Sequence, residues 1–399
     1  MGLEIGTSKI CVVVAENQAD GGIKILGVGQ VPSRGIRKGE IVDFDTAQQC
    51  IHDALVDAEQ KSDIEIDRVF VGVTGSHIAS FNSRGVVNIP EDRGEIFEED
   101  IESVRENAIN VSIPGENSFL HSILQHYYVD DRDGVLNPVG ILGNRLEADY
   151  HIIHGIRNRI QNTLRCVREI PLNVDDIVLN GLASAQVVLD QEQKNLGALV
   201  LDIGGGTTDY VYYQDGAVQR SGVLAVGGDH ITNDLSSLLR IPMARAERLK
   251  IEEGSVIVGK SIPGEIVTLK DETGFAGREI EREKLNTIIH MRVKEIFELL
   301  HRSLSSDPKF AMIGSGVHIT GGCSLLKGID QLAAEVFGLE VTLTHALPMA
   351  GITSAFQNPQ YSTAIGLVKY AQAVHSERGN DGAIKKFFKS IGGWFKRSS

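Results

Sequence analysis

Two segments of the chain follow the same pattern, LEIGTSKICVVV at residues 3–14 and LDIGGGTTDYVYY at residues 201–213. Each runs through an acidic residue and Ile-Gly into a short turn of small residues, and then into an apolar strand. A segment that recurs on one frame indicates two related structural units. The repeat therefore predicts an α/β protein of two lobes that face each other. A chain of 399 residues is long enough for two lobes and further subdomains.

Changes of pattern along the chain divide each lobe into a core and an insertion. After the strand RVFVGVTG at 68–75, short strands and turns follow, and helical spacing returns with IRNRIQNTLRCVREI at 156–170. The second repeat is followed by a helix-rich stretch in the same way. We predict a first-lobe core at 1–75 and 156–195 with an insertion at 76–155, a second-lobe core at 196–228 and 301–375 with an insertion at 229–300, a flexible linker at 376–382 and an amphipathic helix at 383–399.

Both repeats contain a turn that suits a phosphate group. A turn of glycine and small hydroxyl residues exposes several backbone N–H groups on one side, which is how anion-binding nests are built. One such hairpin alone could equally be a plain β-turn, but two on a repeated frame indicate a nucleotide clamped between the lobes. The candidate phosphate-binding residues are Gly6, Thr7, Ser8 and Lys9 in the first hairpin and Gly204, Gly205, Gly206, Thr207 and Thr208 in the second.

An acidic residue stands at the end of the strand before each turn, Glu4 in the first repeat and Asp202 in the second. Proteins bind Mg²⁺ through one or two carboxylates while the ion keeps several water molecules. We therefore predict that Glu4 and Asp202 hold a hydrated Mg²⁺ between the lobes and position its water. No Ser or Cys lies in a recognisable nucleophile motif. His151 and His154 lie in an apolar strand-like run, and we do not predict that they bind metal.

Three further motifs are candidates for contacts with the rest of a nucleotide. In ITGGCSLLKG the backbone can approach a flat adenine ring, although a simple strand-to-helix turn has the same sequence features. VGGD precedes a helix whose first N–H groups can bind a phosphate. In ARAERLKIEEG, a glutamate and a lysine three residues apart can hydrogen-bond a ribose or form a solvated ion pair. The residues concerned are Gly227, Gly228, Glu247, Lys250, Gly321 and Gly322.

The C-terminal segment AIKKFFKSIGGWFKRSS, residues 383–399, differs from the rest of the chain. It holds five Lys or Arg and no acid, whereas the whole chain has a formal net charge of −14. The acidic body argues against nucleic-acid binding. Helical spacing places the apolar side chains of the segment on one stripe and the basic ones beside it, as in helices that lie in a membrane interface. A helix that docks on the protein's own core is the alternative. The predicted membrane-binding residues are Ile384, Lys385, Lys386, Phe387, Phe388, Lys389, Ile391, Trp394, Phe395, Lys396 and Arg397.

These motifs resemble those of the superfamily that contains actin, DnaK-type chaperones and sugar kinases. That resemblance rests on EIGTSK, DIGGGTTD and TGGCSLLKG. Within the superfamily, the chain is similar to the FtsA family of bacterial cell-division proteins. The narrower resemblance rests on PSRGIRKGEIVD, GSHI, NPVGILGNRLEADYHII, NGLASA and YSTAIGL, together with the amphipathic C-terminal segment, and it extends in order over nearly the whole chain.

The resemblance implies an actin-like ATPase fold with ATP or ADP and Mg²⁺ in the cleft between the lobes. It also implies a protein that polymerises head to tail and tethers the tubulin-like protein FtsZ to the cytoplasmic face of the inner membrane at the division septum. In the family, the C-terminal peptide of FtsZ docks on the second-lobe insertion, here 229–300. The first insertion, here 76–155, is linked to self-association and to later division proteins.

One departure from the superfamily concerns hydrolysis. DnaK-type chaperones have NEPTAAA, with a glutamate near the attacking water, whereas this chain has NGLASA with Gly181 at that position. Because a positioned base contributes roughly 10²–10⁴-fold to a rate, we predict tight nucleotide binding with slow hydrolysis. A small-molecule kinase or polyphosphatase and a chaperone are the alternative functions. The sequence offers no candidate base for the first, and the short stretch after YSTAIGL is too small for a chaperone's substrate domain.

Overall fold

The computed structural model describes residues 1–18, 22–259, 262, 264–271, 276–346, 350, 357–379 and 389–390. The first half of the chain forms β1 (Gly2–Ile5), β2 (Lys9–Asn17), β3 (Ile23–Pro32), β4 (Ile36–Arg37), β5 (Glu40–Ile41), α1 (Phe44–Ser62), β6 (Arg68–Val73), β7 (Ile78–Asn88), α2 (Glu98–Ile109), β8 (Asn117–Val129), β9 (Arg132–Val135), β10 (Arg145–Ile156), α3 (Arg157–Arg168), β11 (Asn173–Leu179), α4 (Asn180–Val188) and α5 (Gln191–Leu196). The second half forms β12 (Ala198–Ile203), β13 (Thr208–Gln214), β14 (Ala217–Leu224), α6 (Gly228–Leu239), α7 (Met243–Glu253), β15 (Ile266–Leu269), β16 (Arg278–Glu281), α8 (Arg282–Leu304), β17 (Val317–Thr320), α9 (Ile329–Phe337), β18 (Val341–Leu343), α10 (Ser362–Gly379) and β19 (Lys389–Ser390), with 3₁₀ helices at Pro308–Met312, Gly322–Leu325 and Pro359–Tyr361.

The two lobes are built on sheets of the same topology. The first sheet has the strand order β11-β6-β1-β2-β3 and the second has β18-β17-β12-β13-β14. In the first sheet β2 pairs antiparallel with both β1 and β3, β6 pairs parallel with β1, and β11 pairs parallel with β6. In the second sheet β13 pairs antiparallel with both β12 and β14, β17 pairs parallel with β12, and β18 pairs parallel with β17. This correspondence confirms the internal repeat and the two-lobed α/β fold that the sequence predicts.

The central strands of both sheets are buried on both faces because helices cover them. Ile10 to Val14 on β2 and all of β12 are buried. Helix α1 packs on β2 and β3, while α4 and α10 pack together against the first sheet. Strands covered on both faces read as continuous apolar runs rather than alternating ones. The turns of the hairpins β1–β2 and β12–β13 lie where the two lobes meet.

The first insertion forms a separate sheet in which β10 lies between β7 and β8, with β9 beside β8. Helix α2 packs on β7 and β10 and encloses a core of its own that includes Ile96, Val104, Leu146 and Ile152. Because it has a core that neither lobe shares, this part of the chain is a subdomain.

The same insertion also contacts the second lobe along β14. His151 lies between Asn82 and Ser221, with its ring nitrogens 2.7 Å from Asn82 Oδ1 and 2.8 Å from Ser221 Oγ. Ser80 Oγ donates to the carbonyl of Ser221 at 2.7 Å, and Gln125 Nε2 donates to the carbonyl of Val218 at 2.6 Å. Thus His151 bridges the two parts of the protein by hydrogen bonds, a role other than metal binding.

The second insertion consists of α6, α7, α8 and the hairpin β15–β16. Its helices share one core with the second lobe, and the rings of Phe297 on α8 and Phe337 on α9 lie 5.7 Å apart between centroids. Unlike the first insertion, it is packed as an extension of its lobe.

The C-terminal region differs from the sequence prediction at two places. Helix α10 runs to Gly379, so the linker predicted at 376–382 is wrong for its first four residues, where Glu377 and Arg378 are good helix formers. Residues 389–390 are strand β19, antiparallel to β8 at His121 and Ser122, where we predict helix. The edge of β8 offers unpaired backbone groups that an extended segment can satisfy. The remaining residues of both predicted segments lie outside the described residues. In the described part of the chain, no helix is both long and apolar enough to span a bilayer.

Candidate functional site

The two repeated hairpins close with the same hydrogen bond. The N–H of Gly6 donates to the carbonyl of Lys9 at 3.0 Å, and the N–H of Gly204 donates to the carbonyl of Thr207 at 2.9 Å. The strands end at the equivalent pairs Ile5–Ile10 and Ile203–Thr208. The two turns are therefore copies of one structure, one on each lobe.

The tips of the two turns meet across the lobe boundary. A Cβ atom on Gly206 would overlap the side chain of Thr7, and one on Gly205 would lie 3.0 Å from Cβ of Ser8. Glycine is therefore required at 206 for the lobes to approach this closely. In the described part of the chain, the N–H groups of Thr7, Ser8, Gly205 and Gly206 have no hydrogen-bond acceptor. They remain available to an anion.

A cavity of about 340 Å³ lies between the lobes beside these turns. Most of the predicted site residues line it. They are Glu4, Gly6, Thr7, Ser8, Lys9, Asp202, Gly204, Gly205, Gly206, Thr207, Gly228, Glu247, Lys250, Gly321 and Gly322. The cavity is also lined by residues outside the predicted set, including Thr74, Asn180, Asp209, Asp229, Ile251, Leu325 and Thr363.

Thr208 and Gly227, which we predict as nucleotide ligands, do not line the cavity. Thr208 is buried, and its hydroxyl donates to the carbonyl of Val226 at 2.8 Å. The N–H groups of Gly228 and Asp229, at the start of α6, donate to the carbonyls of Gly204 and Gly205 at 3.0 and 2.8 Å. The start of α6 thus holds the second turn in place, instead of offering these N–H groups to a phosphate as predicted.

Asp202 lies at the floor of the cavity, where it is buried. Thr363 Oγ1 donates to its carboxylate at 2.7 Å. Burial raises the pKa of Asp202 to about 6, against the opposing effect of the hydrogen bond from Thr363. Gly321, with φ of +84°, packs against Asp202 so closely that any side chain there would collide with the carboxylate. The positive φ and the close contacts with Asp202 and with the backbone of Ile203 therefore require glycine at 321.

Asp209 is a second buried carboxylate at the floor, directly opposite Asp202 in the β12–β13 pairing. Thr74 Oγ1 lies 2.8 and 2.9 Å from its two oxygens, and the backbone N–H of Gly181 also donates to it. Burial, with the charge of Asp202, raises the pKa of Asp209 to about 8. A Cβ on Gly181 would lie only 3.3 Å from Cβ of Asp209. Asp209 thus occupies the space next to the position where the chaperones carry their glutamate.

Glu4 forms an ion pair with Lys9, whose Nζ lies 2.6 Å from Glu4 Oε2, and both side chains are largely buried. Burial alone would lower the pKa of Lys9, but Glu4 reverses that effect and raises it. Lys9 is therefore charged, and it neutralises one of the three carboxylates at this end of the cavity.

Glu247 and Lys250 form a cluster at the other end. Lys250 Nζ is buried and donates to Glu247 at 2.7 Å, to Thr232 Oγ1 at 3.0 Å and to the carbonyl of Gly228 at 3.2 Å. Thr232 Oγ1 also donates to Glu247. Lys250 thus ties α7 to the start of α6, and the half-exposed Glu247 presents its carboxylate to the cavity.

Two apolar side chains, Ile251 and Leu325, line the cavity near this cluster and are 68% and 60% exposed. Large apolar side chains left open to solvent at a cavity mouth are typical of ligand sites. The cavity therefore has an apolar end and a carboxylate-rich end. Within the described residues, no three His, Cys, Asp or Glu side chains come together in an arrangement that could by itself hold a metal ion.

The family described as "Cell division protein FtsA" matches residues 199–366, and the "SHS2 domain inserted in FTSA" matches residues 75–154. The chain is 38% identical to cell division protein FtsA of Pseudomonas aeruginosa, over 94% of this chain and 90% of that protein. It is 34% identical to cell division protein FtsA of Escherichia coli K12, over 100% of this chain and 96% of that protein.

Solved structures with similar folds share little sequence identity. The PilM–PilN type IV pilus biogenesis complex matches with a TM-score of 0.64 and 16% identity, over 93% of this chain and 98% of that one. MreB5 of Spiroplasma citri bound to ADP matches with a TM-score of 0.56 and 15% identity, over 96% of this chain and 98% of that one. These similarities establish the actin-like fold. Together with the relatives at 34–38% identity over nearly the full length, they lead to one conclusion: the chain belongs to the FtsA family of cell division proteins.

Proposed function

We propose that this protein binds ATP or ADP in the cavity between its lobes. The observation that carries the proposal is the meeting of two identically closed turns, whose free N–H groups face one cavity from opposite lobes. Such a pair can clamp a polyphosphate in a way that neither turn can alone. MreB5, a protein of the same fold, has been solved with ADP bound.

The cavity orients the nucleotide by its two unlike ends. Ile251 and Leu325 at the apolar end would pack against the purine, and Glu247 would accept hydrogen bonds from the ribose hydroxyls. The two turns would then hold the phosphates at the end that contains Asp202 and Asp209.

The residues at the phosphate end fit a divalent cation. Lys9 neutralises Glu4, whereas the carboxylate of Asp202 has only hydroxyl groups as hydrogen-bond donors among the described residues. A polyphosphate would add negative charge beside this buried carboxylate, which is unfavourable without a compensating cation. Mg²⁺ bound through water to Asp202 and Glu4 would supply that charge and polarise the phosphates.

Hydrolysis in this site should be slow. No side chain extends from Gly181 to hold a water molecule, and Asp209, the carboxyl beside that position, has a raised pKa and is fixed by Thr74. A protonated carboxyl cannot act as a general base. The protein therefore works as a nucleotide-controlled scaffold, not as a kinase.

We further propose that nucleotide-bound protein polymerises head to tail, tethers FtsZ to the cytoplasmic face of the inner membrane at the septum, and recruits later division proteins. The FtsZ peptide would dock on 229–300, and 76–155 would contribute to self-association and recruitment. The basic, amphipathic sequence of 383–399 supports membrane attachment. Each cation near an anionic leaflet is worth about 1 kcal/mol, so single tails bind reversibly while a polymer binds through many tails.

Liposome co-sedimentation tests this proposal. Full-length protein and a variant truncated after Gly379, which keeps α10 whole, are mixed with anionic vesicles, with and without Mg-ATP and FtsZ. Full-length protein should sediment with vesicles and bring FtsZ with it, more strongly with Mg-ATP, and the truncated variant should not. Replacing Trp394 and Phe395 with Glu should give the truncation's result while nucleotide binding stays intact. Full-length protein that stays in the supernatant under all conditions would overturn the membrane role.

A further inference from the structure

The hairpin β4–β5 carries a lysine in an unusual backbone conformation next to the cavity. Its two-residue turn, Lys38-Gly39, has φ of +52° and +76°. Turns with positive φ at both positions favour Asn-Gly or Gly-Gly, because a side chain such as that of lysine is strained in the left-handed region. Strain of this kind persists where the surroundings enforce it, and it marks candidate functional positions.

The tip of this hairpin is attached to two residues that line the cavity. The N–H of Gly39 donates to Thr7 Oγ1 at 3.0 Å. A Cβ on Gly39 would lie 2.6 Å from Cγ2 of Thr74, so the turn packs directly on that residue. From the outer side, Arg159 on α3 holds Glu40 at 2.6 Å. The hairpin is thus fixed against the carboxylate end of the cavity, where a terminal phosphate would lie.

The side chain of Lys38 is exposed and forms no hydrogen bond or ion pair with any residue that the structure describes. Its charge nevertheless acts on a histidine of the opposite lobe. Burial, and then the charge of Lys38, lowers the pKa of His230 on α6. His230 Nδ1 lies 3.2 Å from the N–H of Gly227, next to the second turn. Lys38 therefore belongs to the first lobe, and its charge acts on His230, which adjoins the phosphate turn of the second.

We propose that Lys38 is a specificity-determining residue that contacts the terminal phosphate of a nucleoside triphosphate and so distinguishes it from a diphosphate. The inference rests on the proposed nucleotide site. Lysine acts as a compact point charge on a long flexible stem, which suits a contact made from outside the cavity. A diphosphate leaves the position beside Thr7 and Thr74 empty, so Lys38 contributes nothing to its binding.

The test compares Lys38→Met and Lys38→Gly with the control Arg37→Met, an exposed cation one residue earlier on the same hairpin. Affinities for a non-hydrolysable ATP analogue and for ADP are measured with Mg²⁺ by displacement of a fluorescent nucleotide. We expect both Lys38 variants to weaken binding of the ATP analogue by about tenfold or more and ADP binding by less than about twofold, because a charge-assisted contact is lost for one ligand only. Arg37→Met should leave the ratio of the two affinities unchanged.

Lys38→Gly separates this role from a structural one. Glycine adopts positive φ without strain, so this variant should raise the melting temperature of the nucleotide-free protein while it removes the preference for the triphosphate. If Lys38 served only the hairpin, both variants would keep the wild-type ratio of ATP-analogue affinity to ADP affinity, and that result would overturn the inference. The proposed function would still stand in that case, because wild-type protein binds nucleotide. Wild-type protein that binds neither nucleotide would overturn the proposed function, and this inference with it.

Discussion

Asp202 and Asp209 are directly opposite each other on β12 and β13, and both carboxyls are buried at the floor of the cavity between the lobes. Two like charges so placed disfavour simultaneous ionisation. Burial and the charge of Asp202 raise the pKa of Asp209 to about 8, and burial raises that of Asp202 to about 6. An unfolded aspartate has a pKa of about 3.9.

The first prediction is a pH dependence of stability. Between pH 4 and 8 these two carboxyls retain protons in the native state that they have lost in the unfolded chain, so their contribution to the stability of the nucleotide-free protein should fall as pH rises through this range. Asp209→Asn should flatten that dependence and stabilise the nucleotide-free protein at pH 8 by about 1–2 kcal/mol, measured by urea unfolding at several pH values. The same slope in both proteins would contradict a protonated Asp209. Asp53→Asn, an exposed position on α1, is the control.

The second prediction concerns Gly181, where the chaperones carry a glutamate. A Cβ at this position would lie 3.2 Å from Cγ2 of Val211 and 3.3 Å from Cβ of Asp209, so there is little room for a side chain. Gly181→Glu should destabilise the protein by about 3 kcal/mol or more, because it buries an additional carboxylate beside Asp209. Single-turnover hydrolysis should not become faster. Gly181→Ala controls for the added volume alone, and a folded Gly181→Glu protein with faster hydrolysis would refute this explanation of the slow site.

The third prediction concerns the ribose. Glu247 presents a carboxylate to the cavity and is held by Lys250 and Thr232. Glu247→Gln should weaken ATP binding by about tenfold and reduce the preference for ATP over 2′-deoxy-ATP, because a charged acceptor for the ribose hydroxyl is lost. Isothermal titration calorimetry with both nucleotides provides the measurement. Glu252→Gln, an exposed position on the same helix, should leave both affinities unchanged. An equal loss for both nucleotides would mean that Glu247 does not contact the 2′-hydroxyl.

The fourth prediction concerns the contact between the first insertion and β14. Burial, together with the nearby His121, lowers the pKa of His151 to about 3, whereas an unfolded histidine has a pKa of about 6.5. The native protein therefore resists protonation of His151, so the stability that this histidine contributes is complete above pH 6.5 and is lost as pH decreases below it. His151→Gln should cost about 1–2 kcal/mol at pH 7.5 and reduce the slope of stability between pH 6.5 and 5 by about one proton. Exposed His52→Gln on α1 should change neither quantity, and an unaltered slope in His151→Gln would show that His151 titrates normally.

Local patterns in the sequence predicted the features that depend on neighbouring residues. The repeated strand-turn-strand identified both phosphate turns, and spacing along one helix brought Glu247 and Lys250 together. The same repeat also contains the signal for Asp209. In a hairpin whose turn closes at Gly204 and Thr207, the pairing of the strands places Asp209 opposite Asp202.

Other parts of the site depend on tertiary packing and have no local signal. Thr74 directly follows β6 and Thr363 lies in the first turn of α10, yet both donate to the buried aspartates, from positions 135 and 161 residues away in the chain. The β4–β5 hairpin reaches Thr7 only because the first sheet is folded. The start of α6 has the sequence of a phosphate site, but its N–H groups donate to carbonyls of the second turn. A pattern along the chain does not show that these carbonyls lie close enough to accept the hydrogen bonds.

Helix α10 has a consequence for synthesis of the protein. Leu367 and Tyr370 on this helix complete a core with Phe70 on β6 and Ala183 on α4, and Ala364 and Val368 pack into the core of the first sheet. The second lobe, by contrast, is built from a nearly continuous part of the chain between β12 and β18. Contacts between distant residues form slowly because the intervening loop must close first. On the ribosome, the first lobe, although it is translated first, must therefore wait for α10 before its core is complete, and the second lobe should be the first to reach its native structure.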